Sequence, residues 1–205
     1  MIIEFFGLPG AGKTTLAKKI EESTDFKIVK INNRAELVWL NLVFLFKNPI
    51  NFFILFLYIL LNSYNWRMFY YKFVNLFLQT NAKFQKSLKM SKSLLDQCYF
   101  QSIISIFEKP VSEKEIKKIL RFVYFPDKLV IFDINYQTML ERIKGKRFIA
   151  EEFGEDYLRS KIVIMHKNFL VLREGIKNSK LDFLIKDFTQ NINILLEDVL
   201  NFVKN

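Results

Sequence analysis

Residues 7–15, Gly-Leu-Pro-Gly-Ala-Gly-Lys-Thr-Thr, combine glycines, a lysine and two hydroxyls at a phosphate-handling spacing: glycine, four residues, then Gly-Lys-Thr. Gly7, Gly10 and Gly12 permit backbone angles and close approaches that a side chain would block, so successive N–H groups can converge on phosphate oxygens. Lys13 is placed to reach the terminal phosphates, and the Thr14 hydroxyl to ligate Mg²⁺. Such chemistry needs a strand to deliver the loop and a helix to receive it. Residues 1–6 are an apolar run suited to a short buried strand. Residues 13–23 read as a helix with Leu16, Ala17 and Ile20 on its buried side. The helix N-terminus adds about half a positive charge, favourable to an anion. With both flanks in place, a nucleoside triphosphate is expected to bind through Gly7, Pro9, Gly10, Ala11, Gly12, Lys13, Thr14 and Thr15.

The rest of the chain supplies the frame. Residues 26–31 read as a second strand, with Asn32-Asn33-Arg34 at its C-terminal end, where open α/β sheets bind ligands. Arg34 either meets a substrate phosphate there or opens the next helix as a surface residue. Residues 35–91 read as an all-helical insertion. Its segments 37–46 and 50–61 are strongly apolar and are separated by Lys47-Asn48-Pro49. Neither reaches the roughly 18 residues of a spanning helix, and Pro49 ends or kinks a helix there. The favoured reading is a helical hairpin that buries nearly all of its surface, with membrane contact through 37–61 as the lesser alternative. Trp66, Phe69, Tyr70, Phe73, Val74 and Phe77 recur at helical spacing and are expected to pack on that hairpin and roof a substrate cavity. Lys83, Lys86, Lys89 and Lys92 recur at every third position as one side of a basic, solvated face. Only Phe84 is nearby for base stacking, so no nucleic-acid partner is expected.

Residues 93–97 read as a short strand ending in a carboxylate, Asp96. Ser112 with Glu115 forms a capping box that opens a helix through about residue 122. Lys128–Asp133 is a near-continuous apolar run, typical of a parallel strand covered on both faces. Helices over 136–144 and 151–173, a fifth strand over 181–185, and a last helix capped by Thr189 complete the pattern. Short strands alternating with helices predict a three-layer α/β/α sandwich around a parallel sheet. No repeat and no linker rich in glycine, proline or serine divides residues 1–205, so one folding unit is expected.

Composition narrows the chemistry. The 205 residues are 51% hydrophobic and carry a net charge of +10, which calls for a negatively charged partner or reflects a lysine-rich surface. The single cysteine, Cys98, excludes an internal disulfide and a cysteine-based metal site, and fits a reducing cytoplasm. No secretory signal is visible in residues 1–20. The single histidine, His166, leaves no His-based metal centre or Ser-His-Asp triad and reads as structural.

A phosphate loop alone defines only an NTPase, and the second acidic group decides the class. By pattern, Asp133 after four apolar residues is the cleaner candidate, and Asp96 has a shorter apolar lead. In order, the loop at 5–15, Leu94-Leu95-Asp96-Gln97, Pro-Asp-Lys-Leu-Val-Ile-Phe-Asp at 126–133 and Glu141-Arg142 with its basic turn resemble the thymidylate-kinase-like branch of P-loop nucleoside and nucleotide kinases. The resemblance covers 1–34 and 92–205. It implies a five-stranded sheet of order 2-3-1-4-5, and places Asp96 beside Mg²⁺ and the acceptor, where it orients or deprotonates the nucleophile. Gln97 stands where that family has arginine, which removes a cationic contact used by members that phosphorylate nucleotides. The resemblance also implies a lid at about 142–155, in which Arg142 and Arg147, with Lys144 and Lys146 nearby, neutralise the migrating phosphoryl. Arg142 otherwise reads as part of a solvated helix face.

The function implied is an ATP- and Mg²⁺-dependent kinase. In-line transfer would run to an unidentified small acceptor, nucleoside-like or other, seated between the loop, Asp96, Gln97, Arg34 and the insertion. The competing reading is an ATPase or switch that moves the insertion against a protein or membrane partner, with Gln97 orienting water. No Asn-Lys-x-Asp motif supports a guanine-specific switch.

Overall fold

A six-residue strand, β1 (Ile2–Gly7), is buried along its whole length and runs through the centre of the sheet. The computed structural model describes residues 1–143, 154–187 and 192–204. β1 is flanked by β3 (Ser93–Leu95) and β4 (Lys128–Asp133), with β2 (Lys27–Ile28) and β5 (Asp182–Asp187) at the edges. All pairings are parallel and the order is β2-β3-β1-β4-β5, as the motif order implies. The register sets Glu4 beside Leu95 on one side and Leu129 on the other. Phe5 and Phe132 meet at 4.9 Å between ring centroids, and Phe6 packs between Phe100 and Phe169. β2 is shorter than residues 26–31 suggest, because only Lys27 and Ile28 pair with β3.

Helices close both faces. α1 (Lys13–Ser23) packs with α10 (Ile192–Lys204). α6 (Tyr99–Ile106) contacts β1, and α9 (Glu155–Lys177) packs across α6 and α7 (Glu113–Leu120). The capping box of Ser112 and Glu115 is present at the start of α7. α6 has no counterpart in the sequence reading. Nearly all of its residues are buried, polar ones included, so it lacks the two-sided pattern that betrays a surface helix. α8 (Tyr136–Ile143) follows β4. The expected Thr189 cap lies outside the described residues.

The segment between β2 and β3 is helical: α2 (Arg34–Lys47), α3 (Pro49–Leu61), α4 (Trp66–Lys72), a π-helical stretch over Phe73–Leu78, and α5 (Gln79–Ser87). Asn33 and Asn65 cap α2 and α4, each side-chain oxygen accepting a backbone N–H. Hydrogen bonding five residues apart widens the turn over 73–78, which brings residues four apart closer to one line. Phe69, Phe73 and Phe77 accordingly stack at 5.6 and 5.5 Å, and Phe56 of α3 meets all three edge-on.

Three expectations for this segment are corrected. The hairpin does not bury nearly all its surface: Phe46 is 82% exposed, Ile50 68% and Leu61 79%, because only one face of each helix meets the core. Trp66 and Tyr70 are largely exposed to solvent, Trp66 keeping only an edge of the stripe at 5.1 Å from Phe69. The lysine row is not one solvated face, since α5 ends at Ser87. Lys83 pairs with Asp96, Lys86 with Glu36 at 2.6 Å and Lys92 with Asp25.

Candidate phosphate and acceptor site

The loop between β1 and α1 owes its shape to two glycines. Gly10 and Gly12 have φ of 83° and 85°, which residues with a Cβ adopt only at a cost of about 1–2 kcal/mol. Gly7 answers to a different constraint. A Cβ on it would lie 2.7 Å from both Cβ and the carbonyl oxygen of Phe132, so its bare backbone permits the close contact of β1 with β4. Lys13 is buried, and its Nζ donates to the carbonyls of Gly7 at 2.7 Å and Leu8 at 2.9 Å, which holds the ammonium inside the loop. Thr14 and Thr15 are exposed at the start of α1.

A cavity of about 490 Å³ opens on this loop. Pro9, Gly10, Ala11, Gly12, Lys13, Thr14 and Thr15 line one side, and Arg142 of α8 and Gln97 also line it. Arg142 Nη1 donates to the Gly10 carbonyl at 3.4 Å, so the described end of the expected lid reaches the phosphate loop. Arg147, Lys144 and Lys146 lie outside the described residues. Asp96 follows β3 directly, and its carboxylate accepts from Lys83 Nζ at 3.1 Å. It is not among the residues that line the cavity, and neither is Arg34, which is exposed at the first turn of α2. Asp133, the other acidic candidate, is bound by Arg173 at 2.5 Å.

The far wall of the cavity was not legible in the sequence. Met68, Tyr71, Lys72 and Leu76 face it, on the side of the α4 and π-helical segment away from the phenylalanine stack. Lys72 Nζ donates to Asn62 O at 2.5 Å, to Ile106 O at 2.6 Å and to Glu108 Oε1 at 2.5 Å. Lys161 Nζ, from α9, donates to Phe107 O at 2.7 Å and to the same Glu108 oxygen at 2.6 Å. The Tyr157 hydroxyl donates to Glu108 Oε2 at 3.1 Å. Two buried ammoniums thus share one carboxylate, and the wall keeps a positive balance. Burial, with the charge of Lys72, pushes Lys161 down to about 8. Burial likewise lowers Lys72. Burial opposes the charge on Glu108, but the two lysines outweigh it and hold the carboxyl below its ordinary range. Burial and the Glu108 charge raise the Tyr157 phenol, which stays protonated.

α6 completes the wall with Gln101 and Ser105. Gln101 Oε1 is buried without a hydrogen-bond partner in the protein. Glu4, inside β1, holds the start of this helix: its Oε1 accepts the Phe100 N–H at 2.8 Å. Burial pushes the Glu4 carboxyl up to about 8, against the pull of the backbone N–H groups of Phe100, Gln101 and Cys98 and of the Lys83 charge. The one signal for Glu4 was a carboxylate inside an otherwise apolar strand.

The donors fit a Mg²⁺–nucleotide complex. Thr14 offers an exposed hydroxyl at the loop, and Asp96 a carboxylate at the end of the neighbouring strand. No group of three or more histidine, cysteine, aspartate or glutamate side chains that could hold a metal occurs among the described residues. A metal that takes most of its ligands from phosphates and water suits such a set.

No protein-family model matches the chain, and no curated protein matches it in sequence. Solved structures share its fold. Deoxyadenosine kinase from M. mycoides with bound dATP superposes over 100% of both chains, with a TM-score of 0.59 and 13% identity. The same enzyme with products dCMP and dCDP gives a TM-score of 0.60 at 13% identity, covering 100% of this chain and 99% of that one. YorR protein from Bacillus subtilis, in complex with phosphorylated GDP, gives 0.52 at 13% identity, covering 100% and 96%. The chain has the α/β fold of P-loop nucleoside kinases.

Proposed function

We propose that this protein is a kinase that moves the γ-phosphoryl group of ATP, with Mg²⁺, to a hydroxyl of a small nucleoside-like acceptor. The observation that carries this reading is the cavity of about 490 Å³: the phosphate loop lines one side, and a far wall that includes Met68, Tyr71, Lys72 and Gln101 leaves room beside it for an acceptor. A hydrolase or switch needs no such second compartment. The fold shared with deoxyadenosine kinase and the order of motifs seen in the thymidylate-kinase-like branch support the same reading. Gln97 in place of an arginine favours an uncharged nucleoside over a monophosphate as acceptor.

The loop N–H groups and Lys13 hold the β- and γ-phosphates, and to do so the Lys13 ammonium exchanges its bonds with Gly7 and Leu8 for phosphate oxygens. Thr14 and Asp96 are the residues that would hold Mg²⁺, which would supply neutralisation of the phosphate charge. Asp96, released from Lys83, orients the acceptor hydroxyl and takes its proton. The acceptor oxygen bonds to the γ-phosphorus as the bridging bond to ADP breaks. Arg142, and Arg147 by the same resemblance, balance the charge of the migrating group. Arg34 is the residue proposed for acceptor contact outside the cavity wall.

The test is transfer of labelled phosphate from ATP-Mg²⁺ to a panel of nucleosides, nucleoside monophosphates, sugars and lipid alcohols. One acceptor is expected to be labelled, and Lys13→Ala and Asp96→Ala to lower kcat by about a hundredfold or more. ATP hydrolysis at one rate with or without every acceptor would replace the kinase by a switch.

A further inference from the structure

We infer that the arm formed by α2 and α3 docks on an anionic lipid bilayer, lying in its interface without crossing it. Each helix has two apolar faces and spends only one of them inside the protein. On α3, Leu55 and Ile59 are buried, and Phe52 and Phe56 join the aromatic stack. Ile50, Phe53, Leu57, Leu60 and Leu61 form a second stripe that is exposed, at spacings of three, four, three and one. On α2, Leu40 and Phe44 are buried, while Val38, Trp39, Leu42 and Phe46 are exposed. Such exposed apolar stripes exceed the scattered single residues normal on a soluble surface.

The charge distribution identifies what covers them. Residues 37–95 contain six lysines and one arginine against no aspartate or glutamate. Four of the lysines are met by carboxylates from outside the stretch, Lys72 by Glu108, Lys83 by Asp96, Lys86 by Glu36 and Lys92 by Asp25. Between residues 37 and 66 the single charge is Lys47, exposed at the bend between Phe46 and Ile50. Trp39, Tyr64, Trp66 and Tyr70 are exposed as well, and indole and phenol rings favour the headgroup level of a membrane. Apolar stripes, a basic bend and exposed aromatics suit the boundary between acyl chains and anionic headgroups.

A second copy of the chain fits less well. Protein interfaces carry about one hydrogen bond per 100–200 Å², and of the exposed stripe residues only Trp39 offers a hydrogen-bonding group. No single helix among the described residues is long and apolar enough to cross a membrane; α2 and α3 reach that length only as a pair, and their axes turn by 117° at the break, which suits lying in the interface better than a straight span. The 13 residues of α3 reach about 20 Å, short of the roughly 30 Å hydrocarbon core.

The experiment is flotation of the full chain with vesicles of phosphatidylcholine alone or mixed with phosphatidylglycerol. Wild type is expected to float with the mixed vesicles and to be released by raised salt. The double substitution Phe46→Glu/Ile50→Glu should lower partitioning by roughly tenfold or more, with circular dichroism and ATP binding unchanged. A second pair, Phe53→Ser/Leu57→Ser, guards against an effect peculiar to the bend. Wild type that ignores both vesicles and sediments as a concentration-dependent dimer, lost in the same variants, would overturn the inference in favour of a second copy. Variants that float as well as wild type would also overturn it.

Discussion

At the scale of single residues, Glu4 links the sheet to the cavity, because its carboxyl anchors the start of the helix that carries Gln101 and Ser105. Its folded value of about 8 lies above the ordinary 4.5, so the acid is neutral in the folded protein and charged in the unfolded chain between these limits. The stability it contributes is therefore complete below about pH 4.5 and is lost as pH rises through 8. Glu4→Gln keeps an acceptor for Phe100 N–H and removes the charge. Denaturant titrations from pH 5 to 8 should show wild type losing on the order of a few kcal/mol from this group, and the variant nearly none of it. Lys161 acts in another window: its value of about 8 lies below the ordinary 10.5, so its contribution improves only as pH rises above 8. The phosphate loop was legible because its chemistry is contiguous, with all its groups inside residues 7–15. The far wall was not, because Lys72, Glu108 and Lys161 meet only after three separate segments fold together. Gly7 was visible as a loop glycine, but its reason for being glycine lies in Phe132, far along the chain.

At the scale of elements, the aromatic ladder joins α3 to α4 and the π-helical stretch, and so sets the wall that Met68, Tyr71, Lys72 and Leu76 present to the cavity. Phe56 is the rung that touches all three stacked rings. Phe56→Ala should cost about 2–4 kcal/mol by denaturant titration, somewhat below a fully buried phenylalanine because the ring is half-buried. It should also raise KM for the acceptor more than for ATP, since the loop stands on β1 and α1. The apolar periodicity of α2 and α3 was legible, but the sequence contains no sign of which face the core would take. α6 stayed hidden for the opposite reason, being buried nearly all round. β1, β4 and α1 emerged close to their expected bounds, because strong apolar runs and a glycine loop specify them locally.

At the scale of the whole molecule, sheet order and motif order agree: β3 and β4 on either side of β1 bring Asp96, the phosphate loop and α8 to one end of the sheet. A nucleotide that bridges the loop and Arg142 ties these parts together and stabilises the fold by mass action. At a hundredfold excess over Kd, ATP-Mg²⁺ should add about 2.7 kcal/mol, raising Tm by roughly 5–10 °C for a chain of this size. Thermal scans with and without ATP check this, and Lys13→Ala should remove most of the shift.

The parallel order has a further consequence during synthesis. β1 leaves the ribosome well before both of its sheet neighbours, which begin at Ser93 and Lys128. The nascent chain therefore displays the α2–α3 arm, whose residues 37–61 carry Lys47 as their single charge, before the central strand has any partner. Long-range parallel pairing is slow, and an apolar segment waiting on it is exposed to self-association. A nearby bilayer or chaperone during translation would set the yield of this protein as much as its final stability does.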